Sequence, residues 1–225
     1  MTPRLPLIVV LLLLSMPAHA LMQPDNTIIP QDVELQQLFD DRGESLNALN
    51  DAAIKPETFT PTCKLNFEVL LRLASFQNSF GWYNVSANKP ALSDHHEFLS
   101  CTDPVGTKKT LDIKNHPDYT GGDIGFYQAV GPCGSVQDHL HIVYSEKQYN
   151  PDSSQQNPYI HLLIYSSTVT PNAFYFSWED LLQGGDNDFT DLTTIVTGIT
   201  CTGGGASCQT GQLGICEDGT LQCQA

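Results

Sequence analysis

The 225-residue chain carries 25 Asp and Glu against 10 Lys and Arg, a formal net charge of -15. That balance speaks against nucleic acid or an anionic lipid surface as partner, because both need clustered Lys and Arg to displace counterions. Hydrophobic residues make up 40% and charged residues 16%, which excludes a wholly disordered chain and leaves core material for one domain, or at most two.

Residues 1–20 read as a signal peptide. Arg4 is the charged head, Leu7 to Leu14 is an unbroken apolar run, and Ala18-His19-Ala20 is a small-x-small cleavage site. The expectation is export: a mature chain starting near Leu21, secreted or held at the cell surface, with net charge -16 once Arg4 is lost. The apolar run is shorter than the roughly 20 residues that cross a bilayer, and no later stretch approaches that length, so no membrane span is expected.

Residues 21–62 read as a helical preface and linker. Val33, Leu35, Leu38, Phe39, Leu46, Leu49 and Ala52 recur largely at three- and four-residue steps with a break near Arg42-Gly43. This predicts two short helices, or one interrupted helix, between Gln31 and Ala53. Glu34, Asp40, Asp41 and Glu44 are expected on the solvated face. Lys55 to Thr62, with two Pro among mostly polar residues, reads as the linker.

Residues 63–200 change to period two, with β-branched and aromatic runs between turn residues. Candidate strands are Asn66 to Ser75 (also readable as helix), Phe80 to Val85, Ile124 to Val130, His139 to Ser145, Tyr159 to Ser167, Ala173 to Trp178 and Leu192 to Ile199. The fold class expected is mainly β, an antiparallel β-sandwich or jelly roll with a short helical N-terminal segment. Residues 201–225 hold six Gly, four Cys and few large aliphatics, so this tail needs disulfides rather than a core to hold it.

In an exported chain Cys63, Cys101, Cys133, Cys201, Cys208, Cys216 and Cys223 are disulfide candidates. The last four lie 7, 8 and 7 apart with no C-x-x-C, which suits disulfides better than zinc. Cys63, Cys101 and Cys133 leave one odd thiol, and the pairing stays open.

Lys147 is the last basic residue, and the 78 residues after it hold eight carboxylates. Five of these, Glu179, Asp180, Asp186, Asp188 and Asp191, fall within thirteen residues around Gly184-Gly185. Alternating Asp on a Gly-bearing loop supplies the six to eight oxygens that calcium takes, at about 2.3 to 2.6 Å. Without an ion the gathered charges repel. Asp186-x-Asp188-x-x-Asp191 is not an EF-hand, since no Gly or closing Glu follows in register, and single carboxylates here can instead cap the turn or face solvent. Asn150, Asp152 and His161 are possible additional ligands.

Two enzymatic alternatives stand beside calcium. Glu179 or Asp180 can act as acid or base in an extracellular hydrolase. His139 and His141 on one strand face, with Glu146 and His161, resemble the first cupin motif with Gly134 upstream, although its spacing is one residue short and the second motif is missing; such a set would hold a transition metal. The usual hydrolase and nucleotide-binding signatures are absent.

Phe80-Gly81-Trp82-Tyr83, Gly125-Phe126-Tyr127, Tyr144-Ser145 with Asn150-Pro151-Asp152, His161, and above all Trp178-Glu179-Asp180-Leu181 leading to Gly185-Asp186-Asn187-Asp188-Phe189-Thr190-Asp191-Leu192 resemble the domain of unknown function 4114 family. The resemblance runs from about Phe80 to Ile199. It implies an exported bacterial protein, often set beside surface or adhesin modules, with an unknown extracellular or cell-surface ligand. It also implies that the acidic positions are Glu179, Asp180, Asp186, Asp188 and Asp191, with Asn150 and His161 beside them. Phe189-Thr190 stands where Tyr-Asn is frequent in the family, which leaves the carboxylates in place.

Overall fold

A computed structural model describes residues 20–134, 139–153 and 157–201. Residues 1–19, in the stretch read as a signal peptide, and the cysteine-bearing tail beyond Cys201 lie outside the described residues. Leu21–Met22 (β1) and Ile28–Ile29 (β2) form a small hairpin, followed by the helix Glu34–Asp41 (α1). The other strands are Phe59–Leu71 (β3), Ser79–Asn84 (β4), His96–Leu99 (β5), Lys108–Leu111 (β6), Ile124–Val130 (β7), His141–Tyr144 (β8), Leu162–Ser166 (β9), Ala173–Trp178 (β10) and Leu192–Cys201 (β11). They make one antiparallel sheet in the order β5-β4-β7-β3-β11-β10-β9, with β8 beside β7 and β6 beside β3.

The protein is therefore mainly β and antiparallel, with one short α-helix among the described residues. The sheet is nearly closed and barrel-like rather than split into two separate sheets, and β3 joins its halves. One edge of β3 runs along β11, while the other is shared by β7, through Phe59 opposite Ile124, and by β6, through Leu65 to Glu68. Gly198 sits at the β11 bulge with φ +88°, where a Cβ would meet the Lys64 carbonyl oxygen at 1.9 Å, so only glycine lets β3 and β11 approach there. Between the halves, the Phe59 ring lies 5.3 Å from that of Phe126 and 5.1 Å from that of Phe176, and Phe80 lies 6.0 Å from Trp178. Each such buried ring contributes roughly 2 to 3 kcal/mol of transfer free energy.

β10 is buried along its entire length because both faces are covered. Phe174, Phe176 and Trp178 enter the barrel interior, whereas Ala173 and Tyr175 face a second core under the N-terminal preface. In that second core Phe39 of α1 meets Tyr165 at 4.8 Å and Tyr175 at 5.1 Å. Strands covered on both sides read as continuous apolar runs, which is the pattern seen in the sequence of β9 and β10.

Several local expectations change. α1 ends at Asp41, with Arg42 as its C-cap, and Leu46 to Ala52 form turns instead of a second helix. Asn47 is the reason: its Oδ1 accepts the amides of Leu49 and Asn50, which gives the backbone a local alternative to helix. Glu34, Asp40 and Asp41 are exposed as expected, but Glu44 is buried. Its carboxylate accepts bonds from Ser167 Oγ, Thr168 N and Oγ1, Val169 N and the Tyr175 hydroxyl. β3 begins at Phe59, inside the stretch read as linker, and β5 and β6 are short polar strands without a period-two apolar signal. Among the first three cysteines, Cys101 and Cys133 form a disulfide with Cα atoms 5.8 Å apart.

Candidate functional site

Trp178 closes β10 and Leu192 opens β11, and the two are paired across the hairpin. Everything between them, Glu179 to Asp191, is one loop. Its path is fixed by tight backbone: Gly185 has φ +48°, and a Cβ there would come within 2.3 Å of Leu181 Cβ. Phe189 also takes a positive φ of 59°, a conformation disfavoured for a bulky residue, and its fully buried ring joins the core under the preface. The preface grips the loop as well. Gln23 Nε2 donates to Asn187 Oδ1 at 2.9 Å, and the Gln31 amide donates to the Asn187 carbonyl at 2.8 Å.

This folding brings all five sequence-predicted carboxylates into two groups that share one member. Glu179, Asp186 and Asp188 form one group, and Glu179, Asp180 and Asp191 the other, with one ligand oxygen of each within 4.8 Å of the others in its group. Glu179 and Asp180 are 0% and 2% exposed and Asp191 is 7% exposed, whereas Asp188 is half-buried and Asp186 exposed. Backbone donors orient them: the Asp180 amide donates to Asp191 Oδ2 at 2.6 Å, the Leu181 amide to Glu179 Oε1 at 2.9 Å, and the Thr190 amide to Asp188 Oδ1 at 2.8 Å. Glu179 Oε2 is buried with no hydrogen-bond partner.

Among the described residues, none of the five pairs with a Lys or Arg. Burial, followed by repulsion from Asp191, pushes the Glu179 carboxyl up to about 9. Burial and then Asp180 push Asp191 up to about 8. Asp180 and Asp188 are also raised, chiefly by burial. Buried carboxylates without counter-charge either hold protons or hold a cation. The donors are all oxygen, which suits a hard cation such as calcium, magnesium or manganese and not a thiophilic one.

The auxiliary residues do different work. His161 Nδ1 donates to the Glu179 carbonyl at 2.8 Å, and its Nε2 lies 3.1 Å from Asp152 Oδ2. Asp152 in turn accepts the Gln183 amide at 2.6 Å. Burial alone would raise the Asp152 carboxyl, but the His161 bond and charge, with the Gln183 amide, hold it below the usual range. Both residues thus position the loop backbone. Asn150 is occupied by the Tyr144 amide and the Tyr159 carbonyl. His141 Nε2 donates to the Asp180 carbonyl at 2.7 Å, and Glu146 accepts the Tyr83 hydroxyl at 2.9 Å. His139, His141, Glu146 and His161 form no metal-holding group among the described residues.

One contributor is invisible in the sequence. Asn78, fully buried before β4, donates through Nδ2 to Asp180 Oδ2 at 2.6 Å, and its Oδ1 has no partner. No motif or spacing links it to the loop, because 102 positions separate the two residues.

Residues 112–198 match the model of the family described as Domain of unknown function (DUF4114). The matched stretch holds β7 to β10, most of β11 and the whole acidic loop; Phe80-Gly81-Trp82-Tyr83 lies before it. No curated protein and no solved structure matches the chain. No described helix is long and apolar enough to cross a membrane.

Proposed function

We propose that this chain is a secreted calcium-binding β module, which uses the loop Glu179 to Asp191 to order one end of the barrel for association with an extracellular or cell-surface ligand. The observation that carries the reading is Glu179 Oε2, buried and unpartnered among four other carboxylates. An ion there turns mutual repulsion into a bonded network, so binding free energy becomes folding free energy. The leader read at residues 1–20 supports export into a calcium-containing medium. A hydrolase using Glu179 as acid fits less well, because a general acid must come within hydrogen-bond reach of its substrate and Glu179 is 0% exposed.

Thermal unfolding of the mature chain tests the reading. At calcium about 100-fold above Kd the stabilisation is about 2.7 kcal/mol, a rise of roughly 5 to 10 °C over EDTA. Glu179→Gln, which removes the carboxylate common to both groups, should keep the fold in EDTA and lose the calcium-dependent rise. A wild-type melting point indifferent to calcium would overturn the proposal.

A further inference from the structure

We infer that the acidic loop holds two cations rather than one, with Glu179 as the carboxylate that bridges them. The inference rests on the calcium reading above and adds its stoichiometry and the division of labour among the ligands. Oxygens bound to a single calcium lie at most about 5 Å apart, twice the metal–oxygen bond length. With ligand oxygens within 4.8 Å of one another, the five carboxylates group as two triads: Glu179 with Asp186 and Asp188, and Glu179 with Asp180 and Asp191. Only Glu179 belongs to both. Two adjacent ions, one in each triad, use every carboxylate without moving any of them.

The second, independent observation is the state of Glu179 itself. The side chain is fully buried, Oε1 accepts the Leu181 amide, and Oε2 has no partner at all. A carboxylate shared between two ions occupies both of its oxygens, and paired-metal sites place their ions about 3.5 to 4 Å apart, the reach of one bridging carboxylate.

The two half-sites differ in setting. Asp180 and Asp191 are buried and oriented by the Asn78 amide and by the Asp180 backbone, and Asn78 Oδ1 is itself buried with no partner. Asp186 is exposed and Asp188 half-buried, so the outer half-site opens to solvent and has coordination positions left for water or for an oxygen of a partner. The inner ion is thus the structural one, and the outer ion is the one a ligand can touch.

The test is stoichiometry, read by calorimetric titration with calcium chloride and by native mass spectrometry of the mature chain. The expected result is two calcium ions per wild-type chain and one in the variant Asp186→Asn/Asp188→Asn, with unchanged circular dichroism in both. One ion in the wild type would overturn the bridged pair while leaving calcium binding intact. Two ions in the double variant would overturn the assignment of the outer half-site. No bound calcium in the wild type would remove this inference together with the reading on which it rests.

Discussion

The side-chain amide of Asn78 donates to Asp180 Oδ2 at 2.6 Å, joining the segment before β4 to the acidic hairpin loop 102 positions further on. Removing the amide leaves a buried carboxylate oxygen without its donor. Asn78→Leu should lower stability in EDTA by about 1 to 3 kcal/mol and weaken calcium binding by about 10-fold or more, as loss of groups orienting metal ligands does. Denaturant melts and calcium titration of the variant would show both, and an unchanged affinity would mean that Asp180 needs no help from Asn78.

The metal-free protein should lose stability as pH rises. Glu179 and Asp191 have folded-state values raised to about 9 and about 8, above their unfolded values of 4.5 and 3.8. Between these limits the folded state binds more protons than the unfolded one, so the favourable contribution is complete below about pH 4 and disappears as pH passes through about 8 to 9. Melting temperature in EDTA should fall across that window, and saturating calcium should flatten the decline. A melting curve in EDTA that rises steadily with pH would contradict the burial of these groups without counter-charge.

Glu44 is the clasp between the preface and the β9–β10 turn. Burial alone would push its carboxyl up, but bonds from Ser167, Tyr175 and Thr168 hold it below the usual range. Glu44→Ala should cost about 3 kcal/mol, since several buried donors lose an ionised acceptor together. The loss should appear first as faster amide hydrogen exchange in residues 34–53, because Glu44 holds that segment onto the sheet. Uniform exchange with no change in that segment would place the preface anchor in the Phe39 ring contacts alone.

Cys101 and Cys133 close a loop with a sequence separation of 32. On the chain-entropy account, Cys101→Ser/Cys133→Ser should destabilise the protein by about 3 to 4 kcal/mol. Calcium stoichiometry should not change, because the hydrogen bonds of the two cysteines reach Ser100 and Gln77 rather than the acidic loop. A variant with wild-type denaturation midpoint would show that the unfolded chain is already constrained there.

Much of the candidate site was legible from the chain alone, for a local reason. Glu179 to Asp191 is a single hairpin loop, so its carboxylates are neighbours whatever the rest of the fold does, and β7 and β10 were found within the bounds read from their apolar runs. β5 and β6 were missed because edge strands such as His96–Leu99 and Lys108–Leu111 bury too little to leave an alternating signal. Glu44 was misread because a carboxylate five residues past Phe39, beyond the end of α1, looks solvated until the Ser167 turn folds over it.

The sequence by itself determined that the chain is acidic, mainly β, and gathers unneutralised carboxylates on one glycine-bearing loop. Only the tertiary structure decided how those carboxylates divide, which oxygen is left without a partner, and that His141 and His161 grip the carbonyls of Asp180 and Glu179. The physical reason is range. Composition and loop chemistry act between near neighbours, whereas hydrogen bonds from Asn78, Gln23 and His141 to the loop arise only after long-range strand pairing has brought distant segments together.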